Sequence, residues 1–290
     1  MSIAPAHNRN ALSIIAGGGA MPLSVAKAAT SAGRTVHIFG IRGVADAGIE
    51  KFPHSWINLG HIGKVLSVSK AANCREMVIV GGVRRPRLSE LRIDFGALAN
   101  LPSLLGWMVG GDNSVLTGII GFFESKGFRI VGAHEIAPDL IASKGVFSKR
   151  RPGKMDRADI AIGLEVIAAL GPHDVGQATV VAHQYVLAVE AAEGTDKMLQ
   201  RCKELNKWGK SGSRKRSGVL VKCAKPGQER RIDLPAVGPE TVRHASDAGL
   251  AGIAIAANDV LIVDREKFVN SANDAGLFIV GVEIADGKPV

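Results

Sequence analysis

The chain has 290 residues, 46% of them hydrophobic and only 4% aromatic, with a formal net charge of +9. That is enough for one large or two medium domains with aliphatic cores. Cys74, Cys202 and Cys223 are odd in number, far apart and without CxxC spacing, which argues against a disulfide framework and a zinc site and favours a reducing compartment; no apolar run approaches transmembrane length.

In chain order, residues 12–16 form an apolar run that stops at Gly17-Gly18-Gly19, which reads as a strand and not as a signal peptide. Residues 22–32 read as a helix, with Pro22 in its first turn and Gly33 as its stop. Residues 35–40 (TVHIFG) give a second strand. This βαβ opening predicts a parallel sheet with a nucleotide-type crevice at its strand ends. The alternation continues with a helix over 61–72, a buried strand over 77–80, a helix over 113–126 and a strand over 128–132. Asp112 is placed as the N-cap of the third helix and Gly127 as its stop. The expectation is an N-terminal Rossmann-like α/β domain over residues 8–145.

Residues 148–155 (SKRRPGKM) read as a linker or a loop beside an active site. A helix is predicted over 159–170, with Ile160, Leu164 and Ile167 on one face. Residues 178–182 and 186–190 flank His183-Gln184-Tyr185 and suggest a hairpin. Thr195 is expected to cap a helix reaching about residue 207, whose inner side carries Met198, Leu199, Cys202 and Leu205. A strand over 218–223, a helix over 239–248, strands over 253–256 and 260–263, a helix over 265–275 and a strand over 278–282 complete the chain. The second domain, 146–290, is therefore also α/β, with a mixed sheet.

Four stretches could carry chemistry. AGGGAMP (residues 16–22) places Gly18 and Gly19 between a strand and a helix, where backbone N–H groups can approach an anion. It matches neither GxGxxG nor a Walker A loop, so a plain βα turn is the alternative. GGVRRPRL (81–88) puts Arg84 and Arg85 at the carboxyl end of a strand, and Asp112 follows the same logic. AVEAAEGTDKM (188–198) gathers Glu190, Glu193 and Asp196 at one turn. Carboxylates so crowded repel unless a cation sits among them, and oxygen ligands suit Mg²⁺ or Mn²⁺; solvated glutamates and an aspartate on the helix dipole are the alternative. In residues 223–241 (CAKPGQERRIDLPAVGPET), Lys225, Gln228, Arg230, Arg231 and Asp233 crowd between Pro226, Pro235 and Pro239, with Lys222 just before. Prolines stiffen such a loop, and a charged constellation catalyses only when its geometry is fixed in advance. Cations there would neutralise phosphate oxygens and Asp233 would be a metal ligand or general base; ion pairs within the loop are the alternative. His134-Glu135 is a weak metal signal. GxSxG and RNA-recognition patterns are absent. The basic run KWGKSGSRKR (207–216) reads as a solvated loop, or as a contact to phosphates or anionic lipid headgroups.

Together, IAGGGAMP, GGVRRP, GDNSVL, VGAHEIAPDL, DIAIGLEVIAALGPHDVGQA, VLAVEAAEGTDKML, KCAKPGQERRIDLPAVGPETV and AGLAGIAI resemble the UDP-2,3-diacylglucosamine pyrophosphatases of lipid A biosynthesis. The type is LpxI, unrelated to the calcineurin-like metallophosphoesterase that performs the same step in other Gram-negative bacteria. The resemblance runs from about residue 12 to 282. It implies a magnesium-dependent hydrolase that cleaves UDP-2,3-diacylglucosamine to UMP and 2,3-diacylglucosamine 1-phosphate (lipid X). It further implies two α/β domains with the lipid product bound between them, a homodimer and a cytoplasmic enzyme that can touch the inner membrane. The family's essential aspartate, in RRxDLP, maps onto Asp233. With it, Lys225 and Arg231 are expected to be catalytic, and Asp233, Glu190 and Glu193 to hold the metal. Substrate contacts are expected from Gly18, Gly19, Arg84, Arg85, Asp112, Thr195, Asp196, Lys222, Gln228 and Arg230. Two other classes compete: a nucleotide-binding oxidoreductase, suggested by the glycine-rich turn, and a non-enzymatic nucleic-acid binder, suggested by the basic run.

Overall fold

The computed structural model describes residues 11–83, 112–205, 216–285 and 288–289. The chain divides into two compact units, Met1–Pro138 with Arg231–Asp233, and Asp139–Arg230 with Leu234–Val290. The two α/β units, one with a parallel and one with a mixed sheet, are the fold expected above.

The first unit is built on β1 (Ala11–Ala16), β2 (Thr35–Ile41), β3 (His54–Ile57), β4 (Glu76–Val80) and β5 (Arg129–Ile130), all parallel, in the order β3-β2-β1-β4-β5. The central strand β1 buries Leu12, Ile14 and Ala16, and also Ser13, whose hydroxyl donates to Ser69 at 2.8 Å. A strand covered on both faces is apolar throughout unless its polar groups are paired, and Ser13 is paired. Helices α1 (Met21–Ser31), α2 (Ile62–Ala71) and α3 (Asp112–Ser125) connect the strands. In α1, Val25, Ala26 and Ala29 recur at helical spacing on the buried face. At the opposite end of the sheet from the glycines, the buried Glu76 accepts from Arg34 at 2.7 Å and from Arg129 at 2.8 Å.

The sheet order reverses between β1 and β4, the switch point where ligands of such sheets bind. There the chain is tied by a backbone bridge. Gly17 N–H donates to Val80 O at 2.9 Å, Gly18 N–H to Gly82 O at 2.8 Å, and Gly82 N–H to Gly18 O at 3.1 Å. A Cβ on Gly17 would stand 2.5 Å from Gly81 O, and Gly81 itself has φ +97°. No side chain fits at either position. The triple glycine is thus first a device for bringing two βα turns together. Gly19 is exposed, with open space where a side chain would stand.

The second unit has a six-stranded mixed sheet in the order β6 (Gly145–Val146), β13 (Phe278–Val282), β11 (Gly252–Ala256), β9 (Val219–Lys222), β7 (Ala178–Ala182) and β8 (Tyr185–Val189). Its inner strands β9, β11 and β13 are parallel, while β6, β7 and β8 run antiparallel to their neighbours. Helix α4 (Lys154–Leu170) lies on one face, where Gly163 lets it close on Val221 and Thr179. Side chains alternate along a strand, so Lys222 points to the other face, which carries α5 (Thr195–Leu205), α6 (Pro239–Asp247) and α7 (Arg265–Asp274). Two short parallel strands, β10 (Ala236–Val237) and β12 (Leu261–Ile262), pair beside this sheet, and a hairpin of β14 (Ile284–Ala285) and β15 (Lys288–Pro289) follows it.

Several local expectations are corrected. Helix α4 starts at Lys154, five residues before the expected 159, because Gly153 N–H donates to the Asp156 carboxylate at 2.8 Å and fixes the first turn. Residues 148–155 do not form a linker. Ile279 N–H donates to Ser148 Oγ, Lys149 N–H to Asn273 Oδ1 and Arg150 to Gly276 O, which pins the segment to the second unit. Thr195 is the first residue of α5 and not its cap: the cap position falls on Gly194, whose C=O accepts from Met198 N–H at 3.1 Å. The hairpin at 183–185 is present, with a two-residue turn in which His183 (φ 54°) and Gln184 (φ 64°) are both left-handed. Neither is glycine, and the strain is met from below. The buried Asp159 accepts from Gln184 N–H at 2.6 Å and from His183 N–H at 3.1 Å.

Candidate functional site

In the second unit, Lys222 at the end of β9 is only 7% exposed. A buried ammonium needs close partners. Its Nζ donates to Thr195 Oγ1 at 2.7 Å, Thr195 donates to Glu190 Oε1 at 2.9 Å, and Gln177 N–H donates to Glu190 Oε2 at 3.1 Å. The chain Lys222–Thr195–Glu190 thus joins β9, the start of α5 and the end of β8. It borders a cavity of about 340 Å³ lined by Glu193, Gly194, Thr195, Asp196, Lys222, Gly238, Glu240 and Thr241, with Ala236, Val237 and Val263 as its apolar wall.

The cavity receives the N-termini of α5 and α6, where the helix dipoles place partial positive charge. Together with the lysine they suit phosphate oxygens. Three acids stand at the same rim. Hydrogen bonds from backbone N–H groups, its own first, and from Arg201 hold Glu193 below the usual carboxylate range. Arg243 does the same for Glu240. Glu193 and Glu240 are therefore ionised at neutral pH, and the acidic rim suits sugar hydroxyls or a hydrated cation.

A second cavity, of about 240 Å³, lies under the loop over residues 223–230. Lys225, Gln228, Arg230 and Asp259 supply its polar atoms, and Leu164, Ala168, Cys223 and Pro226 its apolar wall. The loop is neither helix nor strand. Gln228 stiffens it: its Oε1 accepts from Lys225 N–H at 2.8 Å, and its own N–H donates to Lys225 O at 3.2 Å. Lys225 pairs with Asp174, and Arg230 with Asp259 and the Asn258 carbonyl. Burial pushes the Asp259 carboxyl up, and Arg230 pulls it back. Burial also pushes the Cys223 thiol up to about 12, so it stays protonated and is no nucleophile at neutral pH.

Arg231–Asp233 belong to the first unit. There Ile232 packs on the core around Phe122 and Phe123, and Arg231 donates to Glu124 at 2.8 Å. Asp233 is half-buried. Asp174, Asp259 and Glu124, which pair with Lys225, Arg230 and Arg231, all lie outside the loop itself.

The expected site residues thus fall into separate groups. Thr195, Asp196, Glu193 and Lys222 share the first cavity, with Glu190 directly behind; Lys225, Gln228 and Arg230 share the second. Gly18 N–H and C=O are both engaged by Gly82. Arg84 and Arg85 lie outside the described residues, as does residue 207–215 of the basic run; Asp112 opens α3, with its side chain outside the description. His134 and Glu135 do not act as a pair: Glu135 accepts from Gly132 N–H and Arg129.

Among the described residues, no group of three or more His, Cys, Asp or Glu side chains converges on a metal position. Glu190 and Glu193 face protein donors. This donor set does not fit a cage built wholly of protein carboxylates. It does fit magnesium that keeps most of its waters and is held by one or two carboxylates with substrate phosphate.

Family models decide the relationship. The LpxI N-terminal domain matches residues 11–140 and the LpxI C-terminal domain matches residues 143–280. The chain belongs to the LpxI family. It is 40% identical over 272 residues to the UDP-2,3-diacylglucosamine pyrophosphatase LpxI of Caulobacter vibrioides, covering 94% of this chain and 97% of that relative.

Sequence reasoning missed several contributors to the candidate site, Glu124 and Glu240 among them. Asp174 and Asp259 hold the loop cations, Gln177 offers only its backbone N–H, and Thr241 lines the first cavity. Asp174 and Gln177 stand inside GPHDVGQA, itself part of the family resemblance, which was the usable signal for them; Asp259, beside the Asn258 turn, is tied to the cationic loop only by the fold. Thr241 had one too, as the third helical residue after Gly238, to which its hydroxyl is tied at 3.2 Å.

Proposed function

We propose that this protein hydrolyses the diphosphate of UDP-2,3-diacylglucosamine to UMP and 2,3-diacylglucosamine 1-phosphate, a step of lipid A biosynthesis. The observation that carries the reading is 40% identity across nearly the full length of a relative named for that substrate. We place it in the cytoplasm of a Gram-negative bacterium, as a homodimer in peripheral contact with the membrane.

A diphosphate diester carries two negative charges that repel an attacking water. Lys222, with the N-terminal amides of α5 and α6, would bind phosphate oxygens and stabilise the charge that moves onto the leaving phosphate. Glu190 fixes the Thr195 hydroxyl so that a lone pair always faces Lys222. Asp174 and Glu124 hold the head groups of Lys225 and Arg231, and Asp259 that of Arg230, so these cations are positioned before substrate arrives. Gln228 keeps the loop in one conformation. Asp196 would accept from sugar hydroxyls. Gly19, Arg84, Arg85 and Asp112 are assigned to the uridine side, with Gly18 as backbone support. Asp233 orients the attacking water and accepts its proton. Magnesium, when bound, would neutralise diphosphate charge, with Asp233 as its first protein ligand.

The substrate assignment is tested with a panel. UMP release is expected from UDP-2,3-diacylglucosamine and not from UDP-N-acetylglucosamine or UDP-glucose. Equal release from the unacylated sugars would overturn it.

A further inference from the structure

We infer that residues 149–157 form a surface that docks on an anionic phospholipid bilayer. Lys149, Arg150, Arg151, Lys154 and Arg157 are all exposed within these nine residues. Arg150 donates to the Gly276 carbonyl. Lys149, Arg151, Lys154 and Arg157 have no ion pair with any described residue. This contrasts with the cations of the 223–235 loop, each of which faces a carboxylate. Asp156 is the one acid in the segment, and it is engaged in holding Gly153 N–H.

Two further features point outward. Lys154 and Arg157 sit in the first turns of α4, where a cation opposes the helix dipole and does nothing for helix stability. Between them Met155 is 49% exposed, one of only five large apolar side chains so exposed among the described residues. An exposed apolar side chain flanked in sequence by cations that pair with no described residue is the pattern of an interfacial anchor, with attraction to anionic headgroups and shallow insertion below them. The backbone N–H groups of Phe147 and Lys149 and the hydroxyl of Ser148 are hydrogen-bonded to the strand and helix behind, which holds the start of the segment in place, so little ordering entropy opposes docking. Nucleic acid fits less well, because no exposed aromatic side chain in the segment can stack a base. The choice of a bilayer also rests on the acylated substrate proposed above.

The test is co-sedimentation of the full chain with phosphatidylcholine vesicles, with and without phosphatidylglycerol. Wild type is expected to bind only the anionic vesicles, and less as salt rises. The triple variant Lys149→Gln/Arg151→Gln/Lys154→Gln is expected to bind roughly 100-fold more weakly, about five-fold per cation. Met155→Gln alone should weaken binding without altering its salt dependence. UMP release from detergent-solubilised substrate should be unchanged in both. Triple-variant binding equal to wild type, equal binding to neutral vesicles, or tight binding to duplex DNA with none to vesicles would each overturn the docking surface. Vesicle binding that persists while wild type fails to release UMP in detergent would sink the substrate assignment and leave the docking surface standing.

Discussion

The turn after β1 and the turn before α5 look alike as candidates for ligand binding, and the structure treats them in opposite ways. The first is glycine-rich and sits at the switch point of a parallel sheet, yet its N–H groups at Gly17 and Gly18 are bonded to Val80 and Gly82. The second is rich in acids and reads as a metal site. There Glu190 anchors Thr195, Thr195 anchors the buried Lys222, and a cavity opens over the lysine. The difference teaches that a motif's chemistry depends on which of its groups the fold has already engaged. Glycine can mark close packing as well as an anion, and a carboxylate can be there to aim a cation.

Breaking the reactive side of this contrast should have the largest effect. Asp233→Ala is expected to lower turnover by about 10²–10⁴-fold, the range for loss of a positioned general base, with an unchanged melting transition. Breaking the first turn should unfold rather than inactivate. Gly17→Ala pushes a Cβ to 2.5 Å from Gly81 O and should cost about 3 kcal/mol in urea denaturation, as overpacking against backbone does. Lys222→Met separates the roles of the second turn. It keeps the volume and removes a buried charge, so stability should hold or rise, while activity falls by about 10²-fold if the lysine meets phosphate.

Two smaller effects sharpen the comparison. Asp159→Ala removes the acceptor for two N–H groups in a left-handed turn and should destabilise by about 2 kcal/mol. Burial raises the Asp159 carboxyl above its usual range, so the native state takes up its proton before the unfolded chain does. Its ionisation therefore opposes folding at neutral pH. Stability relative to Asp159→Asn should shift toward wild type as pH falls through the raised native value toward about 3.9, as read by urea midpoints across that range.

Much of this fold is legible in the sequence because its signals are local. The 3.6-residue pattern of Ile160, Leu164 and Ile167 gives α4, and Gly33 stops α1. What escapes reading is non-local. β3 (HSWI) is too short and too polar to stand out, and it exists because β2 offers an edge. The start of α4 depends on a bond from Gly153 to Asp156 in a stretch that reads as a linker. In the candidate site, the crowding of charge around Arg230 and Arg231 is plain in the sequence, but their partners Asp259 and Glu124 stand 29 and 107 residues away. No spacing rule reaches across that distance.

The central claim is tested most directly by incubating the purified chain with UDP-2,3-diacylglucosamine, in magnesium and in EDTA, and separating the products. The account predicts UMP and the diacylated sugar 1-phosphate in equal amounts with magnesium, and neither with EDTA. Release of UDP in place of UMP, or no nucleotide at all, would contradict it.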